Sequence, residues 1–258
     1  MRALITGGAK RLGREMSLYL AKRGYDVAVH YNSSDDDARV VVDEIHAMGR
    51  RATQLQANIL DESQVETLVS RAASALDGPI TVLVNNASIF EYDNIKSATR
   101  TTWDRHIESN LRAPFVLTQK FADQIPDPSL DAKSEPVAAG LIVNMLDQRV
   151  KKLTPEFSSY TIAKMGLWAL TQTSARALAP KIRVNAIGPG PTLRGDREDS
   201  VRYQHQRDNT VLNRGSNPSD ISAALGYFID APAVTGQLLC VDGGQHLGWK
   251  TPDILGIV

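Results

Sequence analysis

A chain of 258 residues in which 29 lysines and arginines balance 29 aspartates and glutamates can bury a substantial core but has no bulk charge to draw a nucleic acid. Its one cysteine excludes an internal disulfide framework and fits a reducing compartment; Cys240, in "GQLLCVDGG", reads as a small buried hydrophobe. No run reaches the ~20 apolar residues of a membrane span, and the five histidines lack metal-ligand spacing, so a cytoplasmic protein with neither membrane nor metal is expected.

In chain order, β-rich runs alternate with stretches of helical period. "RALIT" (2–6) predicts a strand, the stretch from Leu12 to Lys22 a helix, and "YDVAVHY" (25–31) a second strand. Ala38, Val41, Val42 and Ile45 recur at i, i+3, i+4 and i+7 and mark the face of a second helix. "RATQLQA" leads to a third helix, opened by Ser63 with Glu66 in capping-box spacing. Its apolar face is Val65, Leu68, Val69, Ala72 and Leu76. "ITVLVN" (80–85) has the apolar run of a parallel strand covered on both faces. A long helix over about 99–125, the strand "GLIVNM", a helix over about 156–178 and the strands "IRVNAI" and "GQLLCV" complete the series.

This alternation predicts a Rossmann-type, doubly wound α/β fold with a mainly seven-stranded parallel sheet. Right-handed crossovers put helices on both faces, and 1–258 reads as a single domain. Two segments interrupt the pattern: a polar, proline-rich insertion loop at 126–140, and a long charged stretch at 188–220. Ligands of open α/β sheets bind beyond the carboxyl ends of strands, so 188–220 is expected to be a substrate-covering flap. An ordinary surface excursion is the alternative.

"TGGAKRLG" (6–13) lies between the first strand and the first helix, where glycines let the backbone approach a pyrophosphate held at the helix N-terminus. The dinucleotide pattern would place a further glycine at position 11; Arg11 stands there, beside Lys10. Two adjacent cations suggest extra negative charge to neutralise, such as the 2′-phosphate of NADP. The second strand ends in His30, Tyr31, Asn32, Ser33 and Ser34, offering donors where an NAD-preferring site keeps an acid. Asp35, Asp36 and Asp37 suit a helix first turn. NADPH is therefore expected over NADH.

Tyr160 and Lys164, four apart in a helical segment, share one face. An ammonium near a tyrosine stabilises its phenolate and lowers a reference pKa of ~10 toward the range useful for proton transfer. The run "VNMLDQR" (143–149) ends a core strand on an acid, Asp147. "NNAS", Asn110 in "ESNLRAPF", "SYTIAK", "IRVNAIGPGP" and "TGQLLCVDGG" accompany the glycine-rich turn. This ordered set, from residue 2 to about 246, resembles the short-chain dehydrogenase/reductase family.

The resemblance implies Tyr160 as general acid/base, Lys164 as the holder of the nicotinamide ribose, and Asn110 as support for a proton-relay water. For the cofactor it implies Gly7, Lys10, Arg11, Leu12 and Gly13, the second-strand tip, Asn58 and Ile59, Asn86, Ala87 and Ser88, Lys164, and Pro189 with Gly190. Asp147 occupies the place where the family usually has a serine. The pteridine reductases carry Asp there, and they are similar in "AKRLGR", "HYNSS" and "NNASIF"; bacterial dihydromonapterin reductases belong nearby. That likeness implies Arg11, Ser88, Phe90, Asp147, Tyr160 and Pro191 around a pterin. Two positions depart from it: Ser33, where an arginine often stands, and Asn58, where Asp is usual.

The expected function is therefore an NADPH-dependent reductase of a pterin or dihydropterin, with hydride to a ring carbon and a proton to a ring nitrogen through Tyr160 and Asp147. A carboxylate suits protonation of such a heterocycle, and the flat face of Phe90 suits stacking against it. The alternatives are a reductase of another carbonyl substrate, such as a 3-oxoacyl thioester, and a non-catalytic NADP-sensing protein. The family is commonly tetrameric through the helices matching 99–125 and 156–178, so a homotetramer is expected; Leu167, Trp168 and Leu170 suit either that contact or the core.

Overall fold

The structure, a computed structural model, describes residues 1–194, 199–249 and 251. Its elements begin with β1 (Arg2–Ile5), α1 (Arg11–Lys22), β2 (Asp26–Tyr31), α2 (Asp35–Ala47), β3 (Ala52–Gln56), α3 (Glu62–Ala75) and β4 (Val82–Asn85). There follow α4 (Arg100–Ile107), a π-helical turn (Glu108–Arg112), α5 (Ala113–Gln124) and the short strands β5 (Ser129–Leu130) and β6 (Pro136–Val137). The last part holds β7 (Gly140–Met145), α6 (Ser158–Ala177), β8 (Ile182–Pro189), α7 (Ser200–Asp208), α8 (Pro218–Asp230) and β9 (Leu238–Val241).

The main sheet has seven strands in the order β3-β2-β1-β4-β7-β8-β9, and every pairing in it is parallel. Side chains alternate between its faces as the period of two requires. Ala3, Ile5, Val27, Val29, Val82 and Val84 point to the core under α1, α2 and α8. Leu4, Ala28, Leu83 and Ile142 point to the opposite core under α3 and α5. Strands covered on both faces need unbroken apolar runs, and β7 is buried along all its length. The Rossmann-type doubly wound fold follows.

Four local expectations change. Asp61, not Ser63, caps α3: its carboxylate accepts from the Ser63 amide at 3.1 Å, because the acid one turn earlier reaches the free N–H groups first. The helix foreseen over 99–125 is broken by the π turn at 108–112. The insertion at 126–140 forms a small antiparallel pair, β5 with β6. Leu167 belongs to a buried cluster with Leu146, Val150 and Ala186, and Trp168 and Leu170 pack against it, so these three serve the core. Cys240 lies half-buried on β9, with burial pushing its thiol up to about 11, so the thiolate is scarce. Among the described residues no helix is long and apolar enough to cross a membrane.

Candidate active site

A cavity of about 1660 Å³ opens where β1, β4, β7 and β8 end at their carboxyl termini, the place where open α/β sheets bind ligands. One wall is the turn after β1. Gly7 has φ +61, and a Cβ on Gly13 would lie 2.0 Å from the Gly7 carbonyl oxygen, so helix and turn touch only because Gly13 has no side chain. Arg11 takes φ +53, the conformation that glycine usually fills at this turn. The first turn of α1 carries no acid, so Lys10, Arg11 and the helix N-terminus together present positive charge, a fit for a dinucleotide pyrophosphate.

The turn is tied to the neighbouring strand. The Thr6 hydroxyl accepts the amides of Asn86 and Ala87, both at 2.9 Å, and the Asn86 side chain donates to the carbonyls of Thr6 (2.8 Å) and Gly7 (3.2 Å). His30 works from below. Gly7 N–H donates to its Nδ1 at 3.0 Å, and Nε2 meets the Ala57 carbonyl at 3.0 Å. With both nitrogens used and burial lowering its pKa to about 4, His30 is a neutral strut and does not line the cavity. The expectation of His30 as a cofactor donor is corrected accordingly: an inward-facing strand position buries it.

The β2 tip is more open. Asn32 and Ser33 are exposed, while the Tyr31 hydroxyl donates to Asp35, which also accepts from Gln54 at 3.0 Å. Lys10 pairs with Asp37 at 2.8 Å across two half-exposed side chains. Asn58 turns inward on its own loop, its side chain accepting the Leu60 amide, and Ile59 packs on the second core cluster.

The opposite wall carries the polar chemistry. Asp147 follows β7 with extended backbone and caps a single 3₁₀ turn, Gln148–Val150. Its Oδ1 accepts the Arg149 amide at 2.8 Å, and its Oδ2 accepts the Tyr160 hydroxyl at 3.2 Å. The Lys164 ammonium, 3% exposed, donates to the Met145 carbonyl at 2.8 Å. Burial and then Asp147 hold the Tyr160 phenol well above its ordinary range; Arg149 and Ser88 pull the other way. Burial lowers Lys164 to about 8, against the opposing pull of Asp147. The expected lowering of the Tyr160 pKa is not seen in this arrangement: burial, then the carboxylate, set the direction, and the Lys164 Nζ bonds to a backbone carbonyl. Tyr160 stands as a protonated acid at neutral pH.

Asn110 sits in the π turn and is fully buried. Its amide brackets the Ile89 backbone, donating to the carbonyl at 2.9 Å and accepting the N–H at 3.2 Å. It fixes the loop after β4 and does not itself line the cavity. Such π turns recur at functional sites because they re-aim one residue. Gly166 lets α6 lie against this turn, since a Cβ there would meet Leu111 at 2.7 Å.

Phe90, half-exposed, stacks on Phe157 with ring centroids 4.3 Å apart and meets Tyr160 edge-on at 4.7 Å. The Arg149 guanidinium lies over the other aromatic partner, 5.0 Å from the Phe157 centroid. Neither Phe157 nor Arg149 was foreseen; an aromatic three residues before Tyr160 and a cation two residues after Asp147 were the available signals. Across the opening, Arg11 donates to the carbonyls of Arg194 (2.9 Å) and Leu193 (3.1 Å). Arg207 bridges residues on either side, donating to the carbonyls of Pro191 and Ser216. Residues 195–198 of the expected flap lie outside the described residues.

Of the residues foreseen, the structure brings together at this cavity Gly7, Lys10, Arg11, Leu12, Gly13, Asn86, Ala87, Ser88, Phe90, Asp147, Tyr160, Lys164, Pro189, Gly190 and Pro191. A family model described as short chain dehydrogenase matches residues 1–204. The chain belongs to the short-chain dehydrogenase family. It is an oxidoreductase of that family, with the sheet order and the paired Tyr160 and Lys164 in place.

Members of the family resemble it over almost their full length. The structure of FolM alternative dihydrofolate reductase 1 from Brucella suis, in complex with NADP, superposes with a TM-score of 0.90 at 40% identity, covering 98% of both chains. A short chain dehydrogenase from Burkholderia cenocepacia, in complex with NADP, gives 0.84 at 30% identity over 95% of this chain and 97% of that one. The 3-oxoacyl-(acyl-carrier-protein) reductase FabG of Staphylococcus epidermidis is 32% identical over 251 residues, 95% of this chain and 98% of FabG.

Proposed function

We propose that this short-chain dehydrogenase is an NADPH-dependent reductase of a pterin or dihydropterin. The observation that carries the reading is the Tyr160 hydroxyl directed at Asp147 beside the half-exposed ring of Phe90. The likeness to FolM in its complex with NADP supports both the cofactor and the substrate class. NADPH supplies a hydride to a carbon of the substrate C=N bond when it is bound on the β1 turn. Lys10, Arg11, Gly13 and the second-strand tip, with Asn32, Ser33 and Ser34, hold it there. Lys164 holds the ribose. Phe90 offers a flat apolar face to the fused ring. Tyr160 Oη–H delivers the proton to the ring nitrogen, and Asp147 keeps that proton on the phenol until transfer. The reading rests on an acid, not a phenolate: the buried Tyr160 is protonated at pH 7, as reduction requires.

The described parts of 188–220, fastened by Arg11 and Arg207, serve in this reading as the cover of the substrate. Trp103, Phe115, Ile162 and Met165 are apolar and exposed on α4, α5 and α6, which supports a homotetramer through those helices. A cytoplasmic location agrees with the single, poorly ionised thiol.

Reduction of 7,8-dihydropterins measured beside acetoacetyl thioesters, with NADPH and then NADH, tests the function directly. Turnover of the dihydropterins is expected; turnover of the thioester alone would replace the pterin by a 3-oxoacyl substrate, the second reading that the FabG likeness favours.

The lysine yields a pH prediction. Lys164 has its pKa lowered from 10.5 to about 8, so its ammonium is present below that pH and is lost as pH rises through it. NADPH affinity, read by fluorescence titration, is expected to weaken above about pH 8. Lys164→Met should bind more weakly at neutral pH and show no such bend.

A further inference from the structure

Behind Tyr160 lies a chain of buried polar groups that the proposed reaction does not use. His106 and Ser159 are fully buried and Asp93 is 1% exposed, and none of the three lines the cavity. They come from α4, from the first turn of α6, and from the loop after β4. Their hydrogen bonds run in one direction. Glu91 N–H donates to His106 Nε2 at 3.1 Å, so that nitrogen carries the lone pair and Nδ1 carries the proton. Nδ1–H then donates to Ser159 Oγ at 2.7 Å, and the Ser159 hydroxyl donates to Asp93 Oδ2.

Asp93 also does the work of a helix cap. The residue at the N-cap of α6, Phe157, makes no side-chain cap and sits in the left-handed region at φ 58. Asp93 supplies the acceptors from elsewhere in the chain. Its carbonyl takes the amides of Phe157 (2.7 Å) and Ser158 (3.3 Å), and its Oδ1 takes that of Ser159 at 3.1 Å. A carboxylate at a helix N-terminus is also favoured by the helix dipole. Tyr160 is the next residue, and the His106 ring lies edge-on to it with centroids 5.9 Å apart.

We propose that Asp93, Ser159 and His106 are positioning residues that lock the loop bearing Ser88 and Phe90 to the helix bearing Tyr160. Ring platform and proton donor come from separate elements, 70 residues apart in sequence between Phe90 and Tyr160, and this chain of bonds sets their spacing. The proposal rests on the reading above only in taking residues 88–94 as the loop that meets the substrate.

The wiring requires a neutral imidazole. A second proton would set Nε2–H against Glu91 N–H, donor against donor. Burial holds His106 below its ordinary value of 6.5; Asp93 and Glu91 favour the extra proton, while Arg105 and Lys164 oppose it. Ser159 and Tyr160 complete the surroundings of the ring, the first as an acceptor and the second as an apolar edge. The lock is therefore closed at neutral pH. It is strained once pH falls below the imidazole's ordinary range, and it opens as pH falls through the lowered value.

Hydrogen exchange of the NADPH complex over the peptide spanning 88–94, corrected for intrinsic rates, reads the lock without any substrate. Wild type is expected to lose about tenfold protection as pH is brought from about 7.5 to below the His106 titration. His106→Gln keeps an acceptor near Nε2 and cannot titrate, so its protection should not change with pH. Ser159→Ala should lose protection at both pH values and raise substrate KM about tenfold, with kcat changed less and NADPH affinity unchanged. Wild-type pH response in His106→Gln, or wild-type protection in Ser159→Ala, would overturn the proposal. Loss of protection at low pH in an enzyme that turns over no pterin would uphold the lock while removing the pterin reading.

Discussion

Tyr160→Phe is expected to lower dihydropterin turnover by about 10²–10⁴-fold, the usual contribution of a positioned general acid, while NADPH affinity stays within about twofold. The substitution removes one oxygen and leaves the ring. The edge contacts of that ring to Phe90 and His106 remain, so packing and the platform are preserved. Only the proton donor goes. Single-turnover rates at saturating NADPH, with cofactor affinity measured separately, make the distinction. Full activity in the variant would remove Tyr160 from the chemistry.

Asp147→Ser isolates the carboxylate from its structural duty. Asp147 has two tasks, one for each oxygen: Oδ1 caps the turn at Gln148–Val150 and Oδ2 faces Tyr160. Serine caps such turns about as well as aspartate, so stability should change by less than about 0.5 kcal/mol. Dihydropterin turnover is expected to fall about 10²-fold, and thioester reduction to appear or increase. The pH profile should move as well. Asp147 is one of the groups that hold the Tyr160 phenol up; without it the phenolate is less disfavoured and the pKa falls. The alkaline limb of turnover, where the acid form is lost, is therefore expected at lower pH than in wild type. Unchanged dihydropterin turnover would show that the carboxylate only caps its turn.

The two predictions differ in how far the sequence alone supports them. Tyr160 and Lys164 could be paired from their helical spacing, and the strand runs were apolar enough to mark a parallel sheet covered on both faces. Asp147 stood at the end of such a run, and its place beside Tyr160 was expected from the family resemblance. The division of labour between its two oxygens was not legible, since it depends on where the chain turns after β7.

The surroundings of other residues were not legible for similar reasons. His30 carries donors at the tip of a strand, but the alternation of side chains buries it, and Gly7 and Ala57 take both nitrogens. Asn110 lies in a stretch with an unbroken helical pattern, and only the packing of α6 against Leu111 shows the π turn that holds it. No pattern in the sequence singled out Phe157. It acquires a role because Phe90, from a loop 67 residues earlier, stacks on it.

By itself the sequence determined what short-range physics can encode: apolar runs of period two, helical faces of period 3.6, a glycine-rich turn, and a tyrosine and lysine one helical turn apart. Those patterns fix the parallel sheet and the end of it that binds a ligand. The tertiary structure decided everything that joins distant segments. It set Asp147 against Tyr160, aimed Lys164 at the Met145 carbonyl, and gave α6 its cap from Asp93. It also fixed the protonation of the site, because burial, the largest influence on Tyr160, Lys164 and His106 alike, exists only once the chain has folded.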